Sequence, residues 1–324
     1  MPARTTTVVS VLASSLLAAA LSAGCSGSSS SAGSAEPKGE PPLTKAQAEK
    51  VLTSYTAAVD RAGRTFNPKP LRTVEADPQL AMDVAALKFR RAVKQSPSKL
   101  QFTNTAYYIP RLTGYPQWFA VGAVTGKRTL RHAMLFTRAK ADAPWLLTAA
   151  PQVGDASLRK VALGSDGYAV PVAPDARDLA VAPGKLPAAH AALLTEGPRA
   201  AGASVLAEGT QTTETYKALK EGEKTLARRG VTLSSRFAAA PYDVYALRTS
   251  DRGALVWYVL KQEEAYSSSR PGKLSVSGDL VGLAPAGSAR TRMDTTVLVQ
   301  YLAAVPPEGR AAVTGMYRKA VHVK

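Results

Sequence analysis

Two short segments carry the S-x-x-K pattern, in which a lysine can activate a serine hydroxyl as a nucleophile. They are Ser96-Pro97-Ser98-Lys99 and Ser157-Leu158-Arg159-Lys160. Enzymes that use this pattern also need S-D-N and K-T-G partner motifs, and neither motif occurs in the chain. The pattern arises easily by chance in a chain rich in Ser, Lys and Arg, so we expect neither serine to be catalytic.

Residues that commonly hold metals or move protons are few. The chain has three histidines and one cysteine, namely His132, His190, His322 and Cys25. No pair of histidines has metal-ligand spacing, and both H-E-x-x-H and the glycine-rich nucleotide motifs are missing. We therefore expect no metal, no cofactor and no enzymatic activity. The alternative is an enzyme with a concave pocket, in which Asp60 and Asp83 on helices face His132 on a strand.

The first 25 residues have the pattern of an export signal. Arg4 is the only charged side chain before Glu36, and the apolar stretch that follows it is shorter than a membrane span. The stretch ends at Leu21-Ser22-Ala23-Gly24-Cys25. This segment resembles the lipobox of bacterial lipoproteins, although Ser22 stands where that family usually has Leu. The resemblance implies a lipid such as palmitate on Cys25. The alternative is a plain secreted protein that is cut near Ala23.

Changes in composition along the chain predict five parts. We expect a lipoprotein signal peptide over 1–24, a flexible Ser/Gly-rich tether over 25–42 and a first α+β module over 43–163. A connector with several Gly and Pro residues follows over 164–184, and a second α+β module covers 185–324. The tether is of the kind that holds a folded body away from a membrane.

Both predicted modules begin with helices and continue with strands. A capping box at Thr44 opens the first helix, and apolar residues at helical spacing predict further helices at 78–95, 185–196 and 213–229. Predicted strands of the first module lie at 100–109, 117–124, 130–138, 144–150 and 158–163. Those of the second module lie at 231–237, 242–247, 254–262, 273–283, 295–305 and 311–323.

The middle strands of the two halves share a pattern. Residues 115–121 are similar to 241–247, and residues 128–136 are similar to 252–260, which suggests an ancient duplication. We therefore expect an α+β fold of two related modules, each a curved antiparallel sheet with helices packed on one face. Each module resembles the NTF2-like or cystatin-like fold. The mature chain as a whole looks like the two-module lipoproteins of high-GC Gram-positive bacteria, whose function is uncharacterised.

Positive charge is concentrated in the first half. Residues 45–140 contain 17 Lys and Arg against five Asp and Glu. The candidate residues for binding an anionic surface are Lys88, Arg90, Arg91, Lys94, Lys127, Arg128 and Arg131. A lipid chain combined with a basic patch is an arrangement that holds proteins on membranes. The alternative is a solvated surface without a partner.

These observations predict a lipoprotein anchored to the cell membrane on its extracytoplasmic face, acting as a non-catalytic binding or scaffold protein. Its expected partners are the membrane and anionic lipids or cell-wall polymers. Export disfavours nucleic acid, and the sequence identifies no protein partner. The alternatives are the pocket enzyme described above and a carrier of an apolar ligand.

Overall fold

The computed structural model describes residues 39–126, 131–154, 157–270, 274–284 and 290–324. Its first helix, α1 (Lys45–Thr65), begins with the predicted capping box. Thr44 Oγ1 accepts a hydrogen bond from the Gln47 amide at 3.2 Å, and Gln47 Oε1 accepts one from the Thr44 amide at 2.7 Å. The helix ends at Phe66, whose φ of 48° lies in the left-handed region. The local sequence signals therefore confirm where this helix begins.

Three further α-helices and ten strands follow within the described residues, along with short 3-10 and π-helical segments. The helices are α2 (Gln79–Ala92), α3 (Leu186–Glu196) and α4 (Thr215–Arg228). The strands of the first half are β1 (Phe102–Tyr108), β2 (Gln117–Thr125), β3 (Arg131–Arg138), β4 (Leu146–Ala149) and β5 (Gln152–Val153). Those of the second half are β6 (Val231–Ala239), β7 (Tyr245–Arg248), β8 (Ala254–Ser268), β9 (Arg292–Val305) and β10 (Ala312–Val323).

Two of the predicted strands are wrong. The predicted strand at 158–163 begins instead in a 3-10 helix, Ser157–Lys160. The buried residues Leu158 and Val161 are spaced by one helical turn and do not alternate as in a strand. The described part of the second, 274–283, forms a short 3-10 helix at Gly278–Leu280. Gly278 and Gly282 there have φ values of 55° and 84°, which interrupt an extended strand.

All ten strands join one antiparallel sheet. Its order is β1-β2-β3-β5-β10-β9-β8-β6, with β4 paired to β3 and β7 paired to β8. The two-residue strand β5 pairs with β3 on one side and with β10 on the other. Gly315 on β10 makes this junction possible, because a Cβ atom there would collide with the side chain of Val153. The fold is α+β as predicted, but two separate sheets are not confirmed.

The two faces of the sheet bury different residues. Helix α1 packs on one face of β2 and β3, where Phe119 and Phe136 stack with ring centroids 5.0 Å apart. The opposite face packs against strands of the second half: Trp118 contacts Tyr245, and the Trp257 indole N–H donates to the Ala133 carbonyl at 3.0 Å. The halves thus share a core and all described residues form one compact unit. The 164–184 boundary stays a prediction.

Candidate functional site

A cavity of about 210 Å³ lies between the two helices of the first half and the sheet. Most of its lining is apolar or aromatic, and a few polar side chains share it. Its lining residues are Tyr55, Val59, Ala62, Leu71, Gln79, Asp83, Ala86, Leu87, Arg90, Leu100, Phe102, His132, Met134, Ala150, Gln152 and Tyr317. Concave, largely apolar sites with a few polar groups are typical of small-molecule binding.

A chain of hydrogen bonds of fixed direction leads from the sheet into this cavity. The backbone amide of Ala150 can only donate, and it donates to Gln300 Oε1 at 2.7 Å. Gln300 Nε2 must therefore donate onward to Gln79 Oε1 at 3.0 Å, and Gln79 Nε2 donates to Asp83 Oδ2 at 2.9 Å. Because a backbone amide starts the chain, Asp83 is held as an acceptor.

Asp83 and Glu75 form a buried pair of carboxyl groups. Glu75 is 1% exposed, and no donor among the described residues reaches either of its oxygens. Burial, followed by the charge of Asp83, raises the pKa of Glu75 to about 11. Burial also raises the pKa of Asp83, against the lowering effect of the hydrogen bond from Gln79 and of the charges of Arg90 and Lys319. The two carboxyl groups therefore both bind a proton more readily than free carboxyl groups do, and the hydrogen bond from Gln79 favours the ionised form at Asp83.

Two tyrosines bring hydroxyl groups to the same cavity. Tyr55 on α1 and Tyr317 on β10 both have a raised pKa, caused first by burial and then by the charge of Asp83. Both are therefore neutral phenols at physiological pH. Neither hydroxyl makes a hydrogen bond within the described part of the chain, so both can donate to a ligand or accept from one.

Arg90 and His132 complete the polar lining. Arg90 lies two turns after Asp83 on the same helix, near enough for its charge to lower the pKa of Asp83. Across the described residues, Arg90 forms no ion pair within 4.0 Å. His132 Nε2 lies 3.0 Å from Thr125 Oγ1, and burial lowers its pKa, so the ring is neutral at pH 7. The cavity therefore brings one carboxyl group, that of Asp83, and one guanidinium group, that of Arg90, to the same space.

The structure brings together two of the three residues that the enzyme alternative requires. Asp83 and His132 both line the cavity, whereas Asp60 does not; its carboxylate accepts a hydrogen bond from the Leu100 amide at 2.8 Å. Of the S-x-x-K segments, one has a buried serine, Ser157, and its lysine, Lys160, lies 4.0 Å from Asp251. The other lies in exposed coil at 96–99.

The corresponding face of the second half is filled. His190 on α3 is fully buried, with Nδ1 2.8 Å from the Tyr258 hydroxyl and Nε2 2.8 Å from the Gln211 carbonyl oxygen. Its ring packs against Tyr301 at 4.5 Å between centroids, and Tyr258 stacks on Tyr301 at 5.5 Å. Burial lowers the pKa of His190 to about 4. His190 is therefore a neutral side chain of the core whose two ring nitrogens both have partners.

Three other depressions have larger volumes, about 280, 470 and 580 Å³. Among the described residues, the charged groups of these depressions have partners, except Arg229 in the 470 Å³ depression, which is exposed to solvent. In the largest, Arg111 pairs with Asp166 at 2.6 Å. In the 470 Å³ depression, Arg318 pairs with Glu264 at 2.9 Å. The first-half cavity differs because its arginine and its two tyrosine hydroxyls are left for a ligand.

The predicted basic patch divides in the structure. Lys88, Arg91 and Lys94 are exposed, whereas Arg90 turns into the cavity. Arg131 donates to the Asn104 carbonyl at 2.9 Å. Lys127 and Arg128 lie outside the described residues, as does Cys25 with the predicted signal and the predicted tether up to residue 38. Among the described candidates, Lys88, Arg91 and Lys94 keep the exposure that the anionic-surface prediction needs, and that prediction stays untested.

Sequence reasoning missed Glu75, Gln79, Gln300 and Tyr317, and it assigned Tyr55 to the apolar face of α1. One signal was available: Glu75 and Asp83 are two of only five acidic residues among 45–140. No spacing rule connects Gln300 on β9 with Gln79 on α2, because the contact spans 221 residues of sequence.

Among the described residues, no helix combines the length and the apolar character that crossing a bilayer requires. Within the same residues, no group of three or more His, Cys, Asp or Glu side chains is arranged to hold a metal ion.

Known proteins similar to the chain carry names but no described activity. An uncharacterized lipoprotein of Streptomyces coelicolor is 25% identical over 85% of this chain and 84% of its own length. An uncharacterized lipoprotein of Streptomyces avermitilis is 26% identical over 73% of this chain and 71% of its own. A second S. coelicolor lipoprotein, also uncharacterized, is 28% identical over 69% and 66%. No solved structure matches the chain.

A family profile matches residues 39–324, which cover the last four residues of the predicted tether and everything after it. The chain belongs to this family, which is described as a domain of unknown function (DUF8094).

Proposed function

Starting from that family membership, we propose that the protein is a membrane-anchored, extracytoplasmic lipoprotein that acts at the cell envelope as a non-catalytic binding or scaffold protein. The lipobox-like segment ending at Cys25 and the names of the relatives support the anchor. The first-half cavity, with its apolar walls and unpaired polar groups, supports the binding role. That cavity is the observation on which the function depends.

Metabolic labelling with a palmitate analogue tests the anchor. The wild-type chain expressed in an actinobacterial host should be labelled, and Cys25→Ser should not be. Because Cys25 is the only cysteine, another thiol in the chain cannot carry the label. An unlabelled wild type, or label that survives the substitution, would contradict the anchor.

Native mass spectrometry tests the binding role. Protein purified gently from its own host should carry a small molecule that denaturation releases. The released compound can then be identified and incubated with fresh protein. Recovery of the compound with its mass unchanged supports binding without turnover.

An enzyme is the second candidate, because Asp83 and His132 line one cavity and both have a shifted pKa. This alternative expects the recovered compound to be converted when fresh protein is added. Loss of conversion in Asp83→Asn or His132→Gln, with binding retained, would establish it. A carrier of an apolar ligand, the third candidate, expects a compound without charged groups.

The exposed residues Lys88, Arg91 and Lys94 support a further contact with anionic lipids or wall polymers. Protein that lacks residues 1–25 should bind anionic vesicles at low salt and dissociate as salt rises. Replacing these three residues with Gln should weaken that binding. Equal binding to neutral vesicles would contradict an electrostatic contact.

A further inference from the structure

The first-half cavity contains opposite charges that do not neutralise each other. Asp83 and Arg90 both line it, yet their charged atoms lie more than 4.0 Å apart, since they form no ion pair. Buried or half-buried charges are costly unless they are paired. A carboxyl group and a guanidinium group that face the same space, each without an ion-pair partner among the described residues, are suited to a ligand with a charge of each sign.

The direction of the hydrogen-bond network shows which end of the ligand goes where. Gln79 Nε2 donates to Asp83 Oδ2 at 2.9 Å, so the Asp83 carboxyl group is held as an acceptor in the wall of the cavity, and the nearby charge of Arg90 favours its ionised form. A ligand ammonium group has the donors that this carboxylate accepts. The guanidinium group of Arg90, a planar fork of donors, is suited to a carboxylate.

The remaining walls define the body of the ligand. Tyr55 and Phe102 present rings stacked at 6.4 Å between centroids, and Val59, Leu87 and Met134 add aliphatic surface. The volume of about 210 Å³ is below the range of about 300–1,000 Å³ that is typical of drug-sized ligands. The site therefore has room for one small apolar group with its two charged ends.

We propose that this cavity binds a small zwitterion of the amino-acid type, with its ammonium group on Asp83, its carboxylate on Arg90 and an apolar side chain against Tyr55 and Phe102. This inference rests on the proposed binding function and specifies the ligand class of the same site. The hydroxyl groups of Tyr55 and Tyr317 accept or donate the remaining hydrogen bonds.

Isothermal titration calorimetry with three probes that share a phenyl body tests the charge requirement. The probes are L-phenylalanine, 2-phenylethylamine, which lacks the carboxylate, and 3-phenylpropionate, which lacks the amine. L-phenylalanine should bind about tenfold more tightly than either analogue, because each analogue leaves one charge of the site without its partner. An analogue that binds as tightly as L-phenylalanine would overturn the inference.

Two variants and one control locate the contacts. Asp83→Asn should reduce the affinity for L-phenylalanine to that for 3-phenylpropionate, and Arg90→Gln should reduce it to that for 2-phenylethylamine. Each variant should keep its affinity for the analogue that lacks the lost contact, which shows that it is folded. Arg61→Gln, on the exposed face of α1, should leave the affinity for L-phenylalanine unchanged. An equal loss in Arg61→Gln would mean a nonspecific charge effect and would overturn the assignment.

The two proposals fail in different ways. If none of the probes binds but native mass spectrometry finds another compound in the cavity, the zwitterion inference is wrong and the binding function stands. If no probe binds and the purified protein carries no compound, both are wrong.

Discussion

The helix-covered faces of the two halves are built from similar parts, but only one of them is full. Under α3, His190, Tyr258 and Tyr301 contact one another and occupy the space between helix and sheet. Under α1 and α2, Tyr55 and Tyr317 instead border a cavity that contains Asp83 and Arg90. The comparison shows how one scaffold can supply a rigid support on one side and a site on the other.

The hydrogen-bond partners of the polar groups differ in the same way. Both ring nitrogens of His190 have partners, and the histidine is neutral. On the other side of the sheet, no hydrogen-bond donor among the described residues reaches the Glu75 carboxyl group. Its pKa is raised to about 11, so the group is protonated at pH 7. The filled half thus stabilises the fold, whereas the other half retains polar groups at a cost to stability, as functional sites commonly do.

The largest expected difference between the halves is in packing. Tyr301→Ala should lower the free energy of unfolding by about 3–5 kcal/mol, because it leaves a void in a filled core. Tyr317→Ala should cost clearly less, because that ring already borders a cavity. Urea denaturation of both variants measures the difference. Equal losses would mean that the two sides are packed alike.

A second expected effect is a dependence of stability on pH. Between pH 4.5 and about 11, Glu75 is protonated in the folded chain and ionised in the unfolded chain. Raising the pH in this range should therefore destabilise the fold by up to about 1.4 kcal/mol per unit from this group. Glu75→Gln should remove this dependence on pH. The variant should therefore be more stable than the wild type at pH 8 but not at pH 4. Parallel stability curves for the two proteins would contradict the protonated Glu75.

Breaking the network that orients Asp83 should have a moderate effect. Gln300→Leu leaves the Ala150 backbone amide and the side-chain oxygen Oε1 of Gln79 without partners. The free energy of unfolding should fall by about 1–3 kcal/mol. The substitution should also weaken binding of L-phenylalanine more than binding of 3-phenylpropionate, because Gln79 is then free to turn its amide. A purely structural glutamine would weaken both equally.

The smallest expected effect separates the buried histidine from the exposed one. His190 has a lowered pKa of about 4, so the fold loses stability as pH falls from 6.5 towards 4. The loss is about 1 kcal/mol between pH 7 and pH 5.5. His190→Gln should reduce this acid sensitivity, and His322→Gln, at an exposed position, should not. Thermal unfolding at the two pH values measures both, and an effect of His322→Gln alone would contradict the assignment.

Sequence patterns predicted the local elements well. The capping box at Thr44 and the helix at 185–196 were confirmed, because the signals for them lie within a few residues of one another. The joining of the sheet was missed, since β5 has only two residues and thus no periodicity. Without β5, two adjacent modules were the natural interpretation of the repeated pattern.

The site was harder to predict than the fold. Asp83 and His132 were named as candidates by residue type, but a cavity depends on the volume that side chains leave empty, and no spacing rule describes that volume. Arg90 was assigned to the basic surface with Arg91. Helical position alone separates the two: Arg90 shares a face with Asp83, seven residues earlier, and Arg91 does not.

Native mass spectrometry of a cavity-filling variant tests the central claim most directly. Ala86 lines the first-half cavity, and Ala86→Trp should fill it, while Ala92→Trp places the same side chain on the exposed end of the same helix. Protein purified from its host should carry a bound small molecule in the wild type and in Ala92→Trp, and none in a folded Ala86→Trp. A wild type without any bound compound, or equal occupancy in Ala86→Trp, would contradict a binding site in this half.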